Sequence, residues 1–73
     1  MIRLVVLRNE KTYVKDFANI CLAYQYYLQN FITKKELKHI EKYQLKDTTD
    51  TDLIEVLFKH CFVNTCILDE NFI

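Results

Sequence analysis

Two histidines and three cysteines are the side chains of this 73-residue chain that are best suited to bind a metal ion. His60, Cys61 and Cys66 lie close together in the sequence, and folding could bring Cys21 or His39 to them. Zinc sites usually use paired ligands, but the chain has no Cys-x-x-Cys pair and no closely spaced histidine pair. Buried cysteine also commonly acts as a small apolar residue. We therefore predict reduced core cysteines, no metal and no cofactor.

A cysteine next to a histidine can also serve as a nucleophile with its base, as His60 and Cys61 could. Such a pair needs a group that orients the base and donors that stabilise an oxyanion, and the sequence offers no evident candidate for either. The chain contains no glycine, which excludes glycine-rich phosphate loops, P-loops and nucleophile elbows. We predict that the protein is not an enzyme.

Four carboxylates between residues 47 and 55 give this segment the charge density of a calcium-binding loop: Asp47, Asp50, Asp52 and Glu55. An EF-hand loop requires oxygen ligands in a fixed order and a glycine at its sharp turn. Because the segment has no glycine, we predict a solvated loop whose Thr and Asp side chains cap a helix.

Lysines recur every four residues at Lys34, Lys38, Lys42 and Lys46, with Lys35 beside them. We call these five residues the lysine ladder. Like charges at this spacing repel one another on a helix, by a few tenths of a kcal/mol per pair. An anionic partner would relieve the repulsion, whereas solvent and salt screen it if the lysines are simply exposed.

The charge balance favours a protein partner over a nucleic acid. Ten basic and ten acidic residues give the chain no net charge, and non-specific nucleic-acid affinity comes from neutralising phosphates. The basic ladder is followed at once by acidic residues, so the molecule is a charge dipole that could orient a protein. Nucleic-acid binding through Lys34, Lys38, Lys42 and Lys46 is the alternative hypothesis.

Five tyrosines are many for so small a chain, and tyrosine is enriched at protein interfaces. Tyr26 lies off the main apolar face of its predicted helix, so we expect it to point outward. The predicted partner-binding residues are Tyr26, Lys34, Lys35, Lys38, Lys42, Lys46, Asp47 and Asp50.

The elements that position these residues begin with a short apolar strand, Ile2–Leu7, closed by a turn at Asn9. Arg3 within it indicates an edge strand or a face open to water. Apolar residues at alternating steps of three and four then predict a long helix from Tyr13 to Phe31. Its inward face would consist of one row, Val14, Phe17, Cys21, Tyr24, Leu28 and Phe31, widened by a second row, Tyr13, Ile20, Ala23 and Tyr27.

A capping box, Thr33 with Glu36, predicts a second helix over Lys34–Gln44. Asp52 with Glu55 predicts the start of a third helix, with Leu53, Ile54, Leu57, Phe58 and Cys61 inward. We expect that helix to reach about Asn64 and a short strand to follow beside Ile2–Leu7, although residues 61–68 are also compatible with strand throughout.

We therefore predict a single α+β domain over residues 1–73, predominantly helical, in the order β-α-α-α-β with a minimal two-stranded sheet. Such a sheet is marginally stable alone, which motivates a homodimer. No apolar run reaches the 18 residues of a membrane span, so we expect a soluble, cytoplasmic protein.

For function, these patterns favour a small protein-binding module, a regulator or inhibitor that occupies a surface of a larger protein. The glycine-free composition, rich in Lys, Asn, Ile and Tyr, is typical of an AT-rich virus or mobile element.

Overall fold

The computed structural model describes residues 1–62 and 66–70, and within them the chain forms three strands and three helices. In chain order the elements are β1 Ile2–Arg8, β2 Lys11–Phe17, α1 Ile20–Asn30, α2 Lys34–Lys42, α3 Thr51–Val56 and β3 Cys66–Asp69. Helix α3 continues as a π-helical turn over Leu57–Cys61. The strands form an antiparallel sheet in the order β2-β1-β3. A small α+β domain with three helices is confirmed. The predicted order β-α-α-α-β lacks β2, and the predicted two-stranded sheet is wrong.

Strand β2 replaces the first part of the helix that we predicted from Tyr13 to Phe31. Thr, Tyr and Val in its first half favour extended structure, and the strand pairs with β1 along its whole length. The helix begins only at Ile20, where the Asn19 side chain accepts a hydrogen bond from the backbone N–H of Leu22 at 3.1 Å. This N-cap marks the true start of α1.

A two-residue turn joins β1 to β2, and the predicted turn at Asn9 is confirmed. Asn9 and Glu10 have φ angles of 53° and 65°, the left-handed geometry of a type I′ hairpin turn. Asparagine adopts this region readily. Glu10 occupies it in a position where hairpins usually place glycine.

Strand β1 lies at the centre of the sheet, so the edge position that we considered for Arg3 is wrong. Leu4 and Val6 are buried beneath the helices, whereas Arg3 lies on the other face. There its Nε donates to Oδ1 of Asp16, its register partner on β2, at 2.8 Å. The sheet face opposite the helices is therefore open to water, which was the other predicted explanation for Arg3.

Strand β3 pairs antiparallel with β1, which confirms the predicted final strand beside Ile2–Leu7. The predicted end of the third helix near Asn64 lies outside the described residues. Because β2 adds a strand to the sheet, the instability of a two-stranded sheet no longer argues for a homodimer.

Helix α2 has the capping box that the sequence predicts. The Thr33 hydroxyl accepts from the Glu36 N–H at 3.2 Å, and Glu36 Oε1 accepts from the Thr33 N–H at 3.0 Å. The helix ends at Lys42 with Gln44 at a φ of 56°. The Leu45 N–H then bonds to the Ile40 carbonyl at 2.9 Å, which completes a Schellman motif with glutamine in the usual glycine position.

Four aromatic rings form the centre of the core: Tyr24, Tyr27, Phe58 and Phe62. Tyr27 stacks on Phe62 with centroids 4.6 Å apart, and Phe58 meets Tyr24 and Tyr27 edge to face at 6.2 and 5.9 Å. The hydroxyls of the two tyrosines reach α2 and the loop after it. Tyr27 Oη donates to Glu36 Oε1 at 2.7 Å, and Tyr24 Oη donates to the Leu45 carbonyl at 2.8 Å.

The predicted inward face of the long helix is only partly correct. In the first row Tyr24 is fully buried, Val14 is 55% exposed, and the remaining members are half-buried. In the second row Ile20, Ala23 and Tyr27 are buried as predicted, whereas Tyr13 is exposed. Val14 is exposed because it lies in β2, on the open face of the sheet.

The π-helical turn changes which residues of the third helix are buried. Ile54, Leu57 and Phe58 are buried as predicted, but Cys61 is exposed. The Phe62 N–H bonds to the Leu57 carbonyl five residues back, at 2.9 Å, so the turn contains one more residue than an α-helical turn. Phe62 therefore takes the inward position that regular α-helical spacing assigns to Cys61.

No helix within residues 1–62 and 66–70 combines the length and hydrophobicity needed to cross a bilayer.

Replacing Gln44 by glycine should stabilise the fold. Glycine adopts the left-handed conformation of this position without steric strain, which outweighs its greater entropy loss on folding. We expect Gln44→Gly to raise the free energy of unfolding by about 0.5 to 1 kcal/mol, measured by urea denaturation. Gln29→Gly, on the exposed side of α1, is the matched control and should lower it by up to about 1 kcal/mol.

Alkaline pH should destabilise the fold through Tyr24. Burial, with a smaller contribution from Cys61, raises the pKa of Tyr24 from 10.0 to about 12. The folded chain thus keeps this proton where the unfolded chain loses it, so the associated stability is complete below pH 10.0 and is lost towards pH 12. The wild type should lose more unfolding free energy than Tyr24→Phe between about pH 9 and about pH 11 in urea melts. Parallel losses would contradict this assignment.

Candidate partner-binding groove

The lysine ladder lies exposed along α2 and just beyond it. Lys34, Lys35 and Lys38 surround Leu37 on a shallow surface near the start of the helix. This part of the ladder presents positive charge around an apolar centre.

The end of the ladder is partly engaged with neighbouring groups. The Lys42 ammonium lies 5.4 Å from the centroid of the Tyr43 ring, within the range of a cation–π contact. The backbone carbonyl of Lys46 accepts a hydrogen bond from Gln25 Nε2 at 3.2 Å. Lys46 thereby helps to hold the loop against α1, while its side chain is exposed.

The acidic residues of the predicted partner site have different positions. Asp50 is the N-cap of α3, since its Oδ1 accepts from the N–H groups of Asp52 and Leu53 at 3.1 and 3.2 Å. The helix therefore begins at Thr51, with its N-cap at Asp50 and not at the predicted Asp52. Asp47 is exposed in the preceding loop. Asp50 has a structural explanation that requires no partner.

Tyr26 is half-buried and faces β2, so the expectation that it points outward is wrong. Its ring lies 5.3 Å from Phe17 and 5.8 Å from Phe31, measured between centroids. The predicted partner-binding residues thus belong to two surfaces, with Tyr26 beside the edge strand and the ladder on α2.

An aromatic groove runs between β2 and the end of α1. We define this β2–α1 groove by Tyr13, Lys15, Phe17, Tyr26 and Phe31. Tyr13 is 42% exposed, and its ring lies 5.2 Å from that of Phe31. A cavity of about 260 Å³ opens here. The groove consequently offers partly exposed aromatic surface around a concave site.

The floor of the cavity is apolar and its rim carries one charge. Leu4 and Val6 of β1 line it from below. Of the described lining residues, Lys15 alone is charged. Its ammonium lies 4.5 Å from the Tyr26 centroid and 5.8 Å from that of Phe17, so cation–π attraction holds it over the groove.

Strand β2 leaves one backbone edge open. It pairs with β1 on one side, and no described strand pairs with its other side. The type I′ turn joins Arg8 to Lys11 in a hydrogen-bonded pair, and such pairs alternate along an antiparallel ladder. The N–H and C=O groups of Thr12, Val14 and Asp16 therefore point to the open edge.

Arg8 fixes the end of the groove near the turn. Its guanidinium Nη donates to the carbonyl of Phe31, the C-cap of α1, and this bond ties the helix to β1. The Arg8 Nε atom is buried without a hydrogen-bond partner among the described residues. The contact holds Phe31 in place against Tyr13.

The cysteines and histidines do not converge on one site. Cys66 is buried and its Sγ contacts the Phe62 carbonyl at 3.6 Å, Cys21 is half-buried, and Cys61 is exposed. Across residues 1–62 and 66–70, no three His, Cys, Asp or Glu side chains lie close enough together to hold a metal ion. Cys66 fits the predicted core role, and Cys61 does not.

No protein-family model, curated protein or solved structure matches this chain. Its function must therefore be inferred from the geometry of the molecule.

The sequence contains a signal for the groove that the helical interpretation obscured. Lys11, Tyr13, Lys15 and Phe17 alternate along β2 and share the face turned towards α1. This two-residue period predicts a strand that presents basic and aromatic side chains together.

The position of Lys15 can be tested by NMR. Protons above an aromatic ring are shielded, so the Lys15 ε-methylene signals should lie upfield of those of Lys38 on α2. Tyr26→Leu should remove most of the shift while Tyr43→Leu leaves it unchanged. Identical shifts for Lys15 and Lys38 in the wild type would contradict the contact.

Proposed function

We propose that this chain is a non-enzymatic protein-binding module, a small regulator or inhibitor that occupies a surface of a larger protein. The observation that carries the proposal is the β2–α1 groove, where partly exposed aromatic rings surround a cavity beside an open strand edge. Aromatic residues are enriched at the centres of interfaces, where they supply most of the binding energy.

The wider surface supports the same function. The basic ladder lies on α2 and acidic side chains follow it in the loop, so the exposed charge is separated rather than uniformly positive. Separated charge accelerates and orients the association of two proteins. The odd number of cysteines favours a reducing, cytoplasmic setting for this encounter.

Nucleic-acid binding through the ladder is the second candidate. It is favoured by the exposed cluster of Lys34, Lys35 and Lys38. Asp47 follows the ladder directly and would repel a phosphate backbone near Lys46.

Affinity capture from host cells, with and without nuclease, distinguishes the two candidates. A protein-binding module should retain a dominant protein after nuclease treatment. Tyr13→Ala should lose that protein because it removes a wall of the groove, whereas Tyr43→Ala, at the exposed C-cap of α2, should keep it. Far-UV circular dichroism checks that both variants fold.

The ladder supplies the complementary variant, in which Lys34, Lys38 and Lys42 are all replaced by glutamine. Under the proposed function it should slow association with the captured protein more than it speeds dissociation. Tight binding of the wild type to random DNA at about 150 mM salt, lost in this variant and steep in salt, would favour the second candidate and contradict the first.

A further inference from the structure

We infer that the partner enters the β2–α1 groove as an extended segment, which pairs with β2 as a new edge strand and inserts one large apolar or aromatic side chain into the cavity. The inference rests on the proposed protein-binding function and specifies the class of segment that is bound.

The open backbone edge selects an extended partner. Thr12, Val14 and Asp16 direct their N–H and C=O groups to this edge, and β2 provides seven residues of strand. A segment that pairs with it would satisfy those groups through main-chain hydrogen bonds, which give affinity with little dependence on sequence. A helical partner would leave the backbone edge unpaired.

The cavity selects one side chain of that segment. Its volume of about 260 Å³ is below the roughly 300 to 1,000 Å³ of typical small-molecule sites, and the rings of Tyr13, Tyr26 and Phe31 around it suit a single large side chain. Alternate residues of an added strand would share the face on which Tyr13 and Lys15 lie. One such residue would project towards the cavity, and its neighbours two positions away would flank it.

Charge complementarity specifies those flanking residues. Lys11 and Lys15 share the groove face of β2, while Asp16 lies on the opposite face in its ion pair with Arg3. A carboxylate two positions from the anchor would therefore meet lysine across the strands. A lysine or arginine there would be repelled, so the groove favours acidic segments.

Selection from a library of random peptides of about 12 residues, which exceeds the length of the strand, provides the probe. The enriched peptides should share a large apolar residue with Asp or Glu two positions away. In the best peptide, changing the apolar residue to Ala should weaken binding about tenfold or more. Changing its acid to Lys should weaken binding most at low salt.

Two substitutions at one residue test the edge pairing. Val14 is among the residues that line the cavity, but its side chain shares the sheet face of its partner Val5, opposite to Tyr13 and Lys15, and its N–H points to the open edge. Val14→Pro removes that N–H without removing a bond to β1, and proline is tolerated in edge strands. It should weaken peptide binding about tenfold or more, whereas Val14→Thr, which keeps the N–H and the branched shape, should bind within about twofold.

Hydrogen exchange in the wild type gives the same test without a variant. Bound peptide should slow exchange of the Val14 amide and leave unchanged that of the Lys38 amide, which lies within α2 away from the groove. Protection of Val14 with loss of binding in Val14→Pro supports the inference.

Several outcomes would overturn strand addition without overturning the proposed protein-binding function. Equal peptide binding by Val14→Pro and Val14→Thr, an unprotected Val14 amide, or no selected peptide with millimolar affinity or better would each exclude strand addition. A homodimer that Val14→Pro dissociates would assign the edge to a second copy and overturn it too. Capture of a host protein that depends on Tyr13 would still support protein binding, whereas loss of that capture would remove the proposed function itself.

Discussion

Two buried tyrosine hydroxyls connect the core to the second helix. Tyr27 donates to Glu36 at the start of α2, and Tyr24 donates to the Leu45 carbonyl just after its end. Without α2 these hydroxyls would lack their partners, and an unsatisfied buried polar group costs about 1 to 3 kcal/mol. A nine-residue helix that carries repelling lysines is also unstable alone. The aromatic core and α2 therefore stabilise each other, and the lysine ladder owes its position to the core tyrosines.

Helix α1 serves both the core and the groove because its tyrosines point in different directions. Tyr24 and Tyr27 are buried, whereas Tyr26 faces β2. One wall of the groove is thus fixed by the core packing of α1, and Arg8 fastens its end through Phe31. The other wall is an edge strand attached to the sheet on one side. A fixed wall from α1 beside the open backbone edge of β2 is well suited to bind an extended chain.

Local patterns predicted the features that depend on neighbouring residues. Thr33 and Glu36 form their capping box because both partners belong to one turn, and Asn9 makes its turn for a similar reason. The hairpin was missed because Tyr13 and Phe17, four residues apart, share a face in a strand as well as in a helix. The pairing of β1 with β2 decides between the two structures.

The site was only partly predictable for the same reason. The sequence predicts Tyr26 as a partner-binding residue from its position off the apolar face, but its neighbours Phe17 and Lys15 come from β2, which the sequence pattern had assigned to the helix. The exposed ladder followed directly from its four-residue spacing. Its separation from Tyr26 depends on tertiary packing, which that spacing does not encode.

The π-helical turn bears on how this sequence should be aligned with any related chain. Phe62 packs on Tyr27 because the turn from Leu57 contains one extra residue. A homologue shorter by one residue here could form a regular α-helical turn and still place its aromatic residue on Tyr27. An alignment with a single-residue gap between 57 and 62 would then keep the core residues matched. Cys61 is the exposed residue at the end of this turn, so the gap is best placed there.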